Sequence, residues 1–329
     1  MFKNIKNGTR VNLIVTTSPF GSSVNTPREL LHKMGKDFGI NISYNEKGRK
    51  YTREELTKVL IEKDPRFIVA GTEKYDKEQL DLCKNLKMIS RVGIGLDSID
   101  LPECHNRNVI VSYTPDAPTN AVAELTISQI FSLLRSTVLA DEEMRSGNWK
   151  RFIGRELKNC CVGVVGNGRI GAAVISKLKS LTPKKVLYTD TDISRKVFPE
   201  YVWATKKQIL KECDIITLHI PLNEDNRNYL DEKELSLLKK DAIIINTSRG
   251  GVINEKSLYR WLHDNSNASA AIDVFEREPY KGNLLTLSNI LLSPHLGSCS
   301  QMSRFQMEVG AVKSVDAYLL SNKIINRVM

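Results

Sequence analysis

Three side chains in the second half of the chain have the types and setting of a hydride-transfer site. Arg249 follows the apolar run Ile243-Ile244-Ile245 and precedes Gly250-Gly251. A guanidinium at such a strand end suits two-pronged binding of a carboxylate. His295 stands after a second apolar run, Ile290-Leu291-Leu292, between Pro294 and Gly297. Imidazole titrates near neutrality, where proton transfer is wanted. Glu278 lies upstream of His295 and can accept its ring N–H, which fixes the tautomer. Glu276 can do the same, and spacing alone does not separate the two. Singly, each has an ordinary reading: a surface ion pair for the arginine, one more polar loop residue for the histidine. Together, at the ends of successive strands, they describe proton and hydride exchange at a carbon next to a carboxylate.

Such chemistry needs a hydride carrier, and the glycines supply a place for one. Gly166-x-Gly168-x-x-Gly171 follows the apolar run Cys161–Val165 and opens an apolar-periodic helix over Ile170–Leu181. The first glycine permits a tight turn, the second lets backbone approach a pyrophosphate, and the third lets helix pack on strand. Arg169 and Ile170 sit in the first helical turn, where N–H groups face an anion. The next strand ends at Asp190, at the spacing expected of the acid that holds a ribose 2′-hydroxyl. A carboxylate there repels a 2′-phosphate, so NAD is expected over NADP. His219, Pro221, Thr247 and Asp273 end further strands and are expected to wall the cofactor site. His219 is read as a wall rather than as the acid.

The elements that position these groups read as α/β. In the first part, Val11–Thr16, Ile40–Tyr44, Phe67–Ala70 and Lys87–Arg91 are strand-like. Helices alternate with them: Pro27–Phe38, with Thr26 as its N-cap, and a helix opened by the capping box Thr52-Arg53-Glu54-Glu55. Residues 119–145 read as one long helix with an apolar face too wide for a single core contact. Strands are expected at Cys161–Val165, Lys185–Thr189, Ile215–His219, Ala242–Asn246, Ser269–Asp273 and Ile290–Ser293. Near-continuous apolar strands joined by helices imply a doubly wound parallel sheet.

The chain has 329 residues, with 41% hydrophobic and 26% charged side chains. That is globular composition with length for about two domains. The net charge is +10, but it divides as +5 over 1–114, +3 over 115–296 and +2 over 297–329, interleaved with acids. A nucleic-acid binder concentrates its excess in a stripe, so nucleic acid is not expected as a partner. Anionic small molecules are. The six cysteines include no C-x-x-C pair, which fits reduced thiols in a cytoplasmic protein. Met1–Gly8 holds no apolar run of a signal peptide, and no stretch has the ~18 apolar residues of a membrane span.

The motifs, in order, resemble the D-isomer-specific 2-hydroxyacid dehydrogenase family over nearly the whole chain. The resemblance runs through Val92-Gly93-Ile94-Gly95-Leu96-Asp97, Asn120-Ala121-Val122-Ala123-Glu124, the glycine turn, His219-Ile220-Pro221, Asn246–Gly251, Asp273–Pro279 and Ser293–Gly297. It implies two Rossmann- or flavodoxin-like domains with the active site in the cleft between them. Residues 1–114 with 297–329 would form the substrate domain and 115–296 the NAD domain. It favours Glu278 over Glu276 as the partner of His295. Arg249 would hold the substrate carboxylate, helped by backbone N–H groups of Val92, Gly93, Ile94 and Gly95. A homodimer through the NAD domain and the 119–145 helix is also implied.

Ile89–Asp97 looks most like the D-3-phosphoglycerate dehydrogenases, with Arg91 placed to neutralise a substrate phosphate. Two departures stand against this. Ala70-Gly71 occupy positions where many such enzymes have Arg-Ser, and no serine-binding regulatory segment follows the last helix. Asn226 also stands where many members have a threonine. D-3-phosphoglycerate is the first substrate expected, with hydroxypyruvate or glyoxylate reduction next. An NAD-sensing, co-repressor-like binding protein is the alternative from another class.

Overall fold

The computed structural model describes residues 11–22 and 24–328. The leader-free N-terminus read from Met1–Gly8 lies outside the described residues. The chain divides into two compact units. One runs to Pro118 and resumes at Ser300; the other is Thr119–Cys299.

The first unit holds five parallel strands: β1 (Val11–Val15), β2 (Ile40–Tyr44), β3 (Phe67–Ala70), β4 (Met88–Arg91) and β5 (Ile110–Ser112), in the order β2-β1-β3-β4-β5. Strand side chains alternate between faces. Leu13 and Val15 therefore join Leu31, Met34 and Met307 in one core layer, while Ile14 joins Leu56, Leu60 and Leu80 in the other. The helices Thr26–Phe38 and Gln301–Ser321 belong to the first layer. The capping box forms as expected, with Thr52 accepting from the Glu55 N–H and Glu55 from the Thr52 N–H. Thr26, expected as an N-cap, is instead the first helical residue, and Asn25 caps without a side-chain bond.

The second unit holds seven parallel strands: β6 (Cys161–Val165), β7 (Lys185–Thr189), β8 (Val202–Trp203), β9 (Ile215–Leu218), β10 (Ile243–Asn246), β11 (Ser269–Ile272) and β12 (Ile290–Leu292). Their order is β12-β11-β10-β9-β6-β7-β8. The winding reverses between β6 and β9, and ligands of such sheets sit outside the carboxyl ends of the strands at that point. Cys161 and Cys160 fall in opposite core layers, as alternation requires.

The single helix expected over 119–145 is two, Thr119–Arg135 and Thr137–Arg145, bent by 63°. Ser136 takes a left-handed conformation, φ 52°. The carbonyl of Leu134 accepts the Arg155 N–H at 2.9 Å, which satisfies a group the break would otherwise orphan. Gly154 is needed there, because a Cβ would meet that carbonyl oxygen at 2.3 Å. No single helix among the described residues is long and apolar enough to cross a membrane.

Candidate active site

The glycine turn has the geometry that its pattern requires. Gly166 has φ +91°, and a Cβ there would stand 2.5 Å from the carbonyl oxygen of His219. A Cβ on Gly171 would stand 1.8 Å from the Gly166 oxygen. These two are tight because protein backbone passes beside them. Gly168 is different: its Cβ would meet only the Arg195 Nη1, at 3.3 Å. Gly168 caps the helix Arg169–Leu181 with no side-chain acceptor, so the first N–H groups of that helix are open to an anion. Half-buried Ile170 packs on the core beneath, and Arg169 is exposed.

Asp190 ends β7 beside this turn. Its Oδ2 accepts the Asn167 N–H at 2.7 Å and its Oδ1 the Asp192 N–H at 3.0 Å. His219 bonds through Nε2 to the Thr217 hydroxyl at 2.9 Å, while its Nδ1 is buried without a partner. Burial pushes its pKa down to about 3. It is neutral near pH 7, which suits a wall and not an acid. The carbonyl of Pro221 accepts from Asn226 Nδ2 at 3.0 Å.

A buried asparagine fixes the backbone of Arg249, whose half-buried guanidinium donates to the Ser248 carbonyl at 2.7 Å. The Asn246 Nδ2 donates to the Arg249 carbonyl at 3.0 Å, and its Oδ1 accepts from the Ser248 N–H and hydroxyl at 3.1 and 2.7 Å. Gly250 must lack a side chain, because a Cβ would stand 2.0 Å from the Phe275 oxygen. The turn therefore lies directly on the loop that carries Glu278. Thr247 and Asp273, expected to touch the cofactor, have side chains committed inside the unit. The Thr247 hydroxyl meets that of Thr126 at 3.0 Å. Asp273 is fully buried and accepts from the Ser293 hydroxyl at 2.5 Å, the Leu296 N–H at 2.8 Å and the Gly297 N–H at 2.9 Å. All three donors belong to the loop that carries His295.

His295 has φ 56° and donates its backbone N–H to the Asp273 carbonyl at 2.9 Å. Its Nδ1 lies 2.9 and 3.2 Å from the two oxygens of Glu278. Nε2 is then the nitrogen left for proton exchange. Burial alone would raise the Glu278 pKa. The bond to His295, that ring's charge, the Phe275 N–H and the Arg249 charge outweigh burial and hold it below the usual value. The structure thus brings Arg249, Glu278 and His295 together on neighbouring loops. Of the two acids the sequence offers, Glu278 and not Glu276 bonds the ring.

Sequence reading placed Asn246 and Ser293 in motifs without giving them a role, and missed Gln129. Gln129 is buried in the helix Thr119–Arg135 and donates to the Ser293 hydroxyl at 3.2 Å. Its signal was a large polar side chain among apolar neighbours.

In the first unit, the Arg91–Gly95 loop follows β4. Arg91 is 8% exposed, and its guanidinium donates to the carbonyls of Gly95 at 3.1 Å, Ala70 at 3.5 Å and Val92. Its head group is turned onto backbone carbonyls of its own loop and of β3. The Val92 N–H goes to the Ala70 carbonyl at 3.0 Å, and the Gly93 N–H to the Thr114 hydroxyl at 2.8 Å. Ile94 and Gly95 remain as the candidate donors of that loop.

This geometry agrees with the comparisons to known proteins. The family model described as "D-isomer specific 2-hydroxyacid dehydrogenase, NAD binding domain" matches residues 127–297. A glyoxylate reductase of Thermofilum pendens is 36% identical over 281 residues, covering 82% of either chain. A D-3-phosphoglycerate dehydrogenase of Methanocaldococcus jannaschii is 36% identical over 256 residues, which are 76% of this chain and 48% of that one. Among solved structures, the TT0316 protein of Thermus thermophilus superposes with a TM-score of 0.84 at 27% identity, covering 97% of this chain and 100% of the other. The chain belongs to the D-isomer-specific 2-hydroxyacid dehydrogenase family, and its cofactor is NAD. It is an NAD-dependent 2-hydroxyacid dehydrogenase.

Proposed function

We propose that the protein interconverts a small unphosphorylated 2-keto acid, glyoxylate or hydroxypyruvate, with its 2-hydroxy acid. The observation that carries this is Arg91, a residue nine-tenths buried whose head group is bonded to backbone carbonyls. A phosphorylated substrate needs a cation presented to it. The similarity to a glyoxylate reductase supports the same reading.

In this reading Arg249 binds the substrate carboxylate. The glycine turn would hold the pyrophosphate of NAD, which when bound would supply or accept the hydride. His295, protonated and held by Glu278, gives its Nε2 proton to the carbonyl oxygen in reduction and takes it back in oxidation. The second reading, D-3-phosphoglycerate, is supported by the Methanocaldococcus relative and by the Ile89–Asp97 motif.

Steady-state NADH oxidation against glyoxylate, hydroxypyruvate, pyruvate and 3-phosphohydroxypyruvate decides between them. Glyoxylate or hydroxypyruvate is expected to exceed the phosphorylated acid in kcat/KM by about tenfold or more, since a charge-assisted bond to phosphate is missing. A phosphorylated winner whose advantage falls with salt overturns the reading. The same unit is proposed to pair with a second copy of itself. Trp149 and Ile153 lie 83% and 102% exposed after the Thr137–Arg145 helix, with Val138 and Met144 also open, and apolar surface of that kind marks an interface.

A further inference from the structure

Two thiols in the second unit face each other although no short spacing in the sequence pairs them. Cys161 opens β6, and Cys213 follows the helix Lys206–Glu212, just ahead of β9. Their Sγ atoms lie 3.6 Å apart. Both belong to one core layer, with Cys213 fully buried and Cys161 7% exposed.

The backbone fixes this juxtaposition. The Asp214 N–H donates to the Cys161 carbonyl at 2.8 Å, and the Cys161 N–H to the Asp214 Oδ2 at 2.6 Å. Val162 pairs with Ile215 across the two strands, so Cys213 stands one residue out of register with Cys161. Parallel strands about 4.8 Å apart, offset by one rise of about 3.3 Å, bring two such Cα atoms to about 6 Å. That lies inside the range of about 4.4–6.8 Å that a disulfide spans. Gly163 makes room for the pair, because a Cβ there would stand 2.9 Å from the Cys213 Sγ.

The charges around the pair favour reaction at Cys161. Lys185 pairs with Glu212 at 2.9 Å, and Lys239 with Asp214 at 2.7 Å. The hydrogen bond from the Cys213 thiol, with Lys185 and Lys239, outweighs burial and the Asp214 charge and holds the Cys161 thiol below its ordinary value. Cys83 and Cys104, in the core of the first unit, are pushed by burial up to about 12. The thiolate is the reactive form, so Cys161 is set apart from these two.

We propose that Cys161 and Cys213 are a reversible oxidation site that closes to a disulfide within the folded protein, with a peroxide as oxidant. The Cys161 thiolate attacks one peroxide oxygen and breaks the O–O bond. This gives a sulfenic acid and a hydroxide, which takes up a proton to become water. The Cys213 sulfur then displaces the sulfenic hydroxyl, forming the S–S bond and releasing a second water as its own proton leaves. Two thiols lose two electrons and two protons, and the peroxide is reduced to two waters. The bond closes a stretch of chain that contains β6, the glycine turn, the helix Arg169–Leu181, β7, β8 and the helix Lys206–Glu212. It clasps the half of the unit on which the glycine turn is built.

The test is treatment of the full chain with hydrogen peroxide, in a Cys299→Ser background that removes the exposed thiol. Remaining thiols are trapped, and unreduced peptides are mapped by mass. A Cys161–Cys213 link is expected to form about tenfold or more faster than Cys83 or Cys104 is oxidised. The linked protein should melt higher, since the unfolded chain is constrained, and dithiothreitol should reverse both changes. In Cys213→Ser, Cys161 should stop at a sulfenic acid that dimedone traps. Three results overturn the proposal: Cys161 and Cys213 still free after Cys83 and Cys104 have reacted, a link that forms only in urea, or a sulfenic acid that accumulates on Cys161 with Cys213 present and unlinked.

Discussion

Glu278→Gln isolates the charge behind the proposed proton carrier. Glutamine keeps the length of the side chain and one oxygen to accept from His295 Nδ1, so the ring orientation is retained. What goes is the negative charge 2.9 Å from that nitrogen. The bond from His295 outweighs burial and helps to hold the Glu278 carboxyl below its usual pKa. A hydrogen bond to a charged group contributes about 1.5–3 kcal/mol. Solvent reaches 45% of the His295 side chain and 38% of the Glu278 side chain, so screening brings the expected loss to about 1–2 kcal/mol. That is roughly a 5- to 30-fold fall in rate. Glu278→Ala, which removes the acceptor as well as the charge, should lose more than Glu278→Gln, with NAD+ affinity kept in both. The assay is keto-acid-dependent NADH oxidation followed by absorbance, with NAD+ binding measured beside it. A Glu278→Gln rate near wild type would refute the charge argument and leave Glu278 as a steric support.

Three other outcomes follow from the same geometry. His295→Ala should lower turnover by roughly 10²–10⁴-fold with NAD+ affinity kept, the usual loss for a general acid–base; turnover near wild type would remove His295 from the chemistry. His219 is held neutral by burial, with its pKa pushed down to about 3. The unfolded chain therefore binds this proton more readily than the folded one, and stability should fall as pH drops from about 6.5 toward that value. A thermal-melt series should show a shallower acid slope in His219→Gln, and an identical slope would contradict it. Trp149→Glu with Ile153→Glu should shift sedimentation from dimer toward monomer without changing the fold by circular dichroism; an unchanged sedimentation profile would place any dimer contact elsewhere.

Most of the strands were legible because their apolar runs are unbroken and end in polar residues. Cys161–Val165 and Lys185–Thr189 match residue for residue. β5 and β8 were not legible: they have three and two residues, at the edges of their sheets, too short to leave a period. The break at Ser136 was hidden for another reason. What makes it affordable is the Arg155 N–H on the Leu134 carbonyl, a partner twenty-one positions away. Arg249, Glu278 and His295 could be named from type and setting. The destination of Arg91 could not, because the Ala70 carbonyl that it meets lies on the neighbouring strand β3. Sequence showed which groups can react and left out the buried polar groups that aim them.

Asp273 shows why the aiming groups have the identities they do. A fully buried carboxylate is costly, and burial raises its pKa against the pull of Ser293, Leu296, Gly297 and the His295 charge. Asparagine would avoid the charge at nearly the same volume. It has only one accepting oxygen, however, and the site presents three donors split over two oxygens. In Asp273→Asn the amide N–H₂ would face the Gly297 N–H, leaving a buried donor unanswered at about 1–3 kcal/mol, partly offset by removal of the buried charge. The net change in stability should be small and the loop that carries His295 should move. Turnover is then expected to fall by about tenfold or more with NAD+ affinity little changed, since misplacement of a reacting group is costly even at a fraction of an ångström. The pH signature has the opposite sign to that of His219. A raised carboxyl pKa favours the protonated fold, so its contribution is fullest below the ordinary carboxylate value and is lost as pH rises through the folded value. The Asn variant should lack that decline. Full turnover in the variant would mean that the carboxylate serves the core alone and that the loop holds His295 without it.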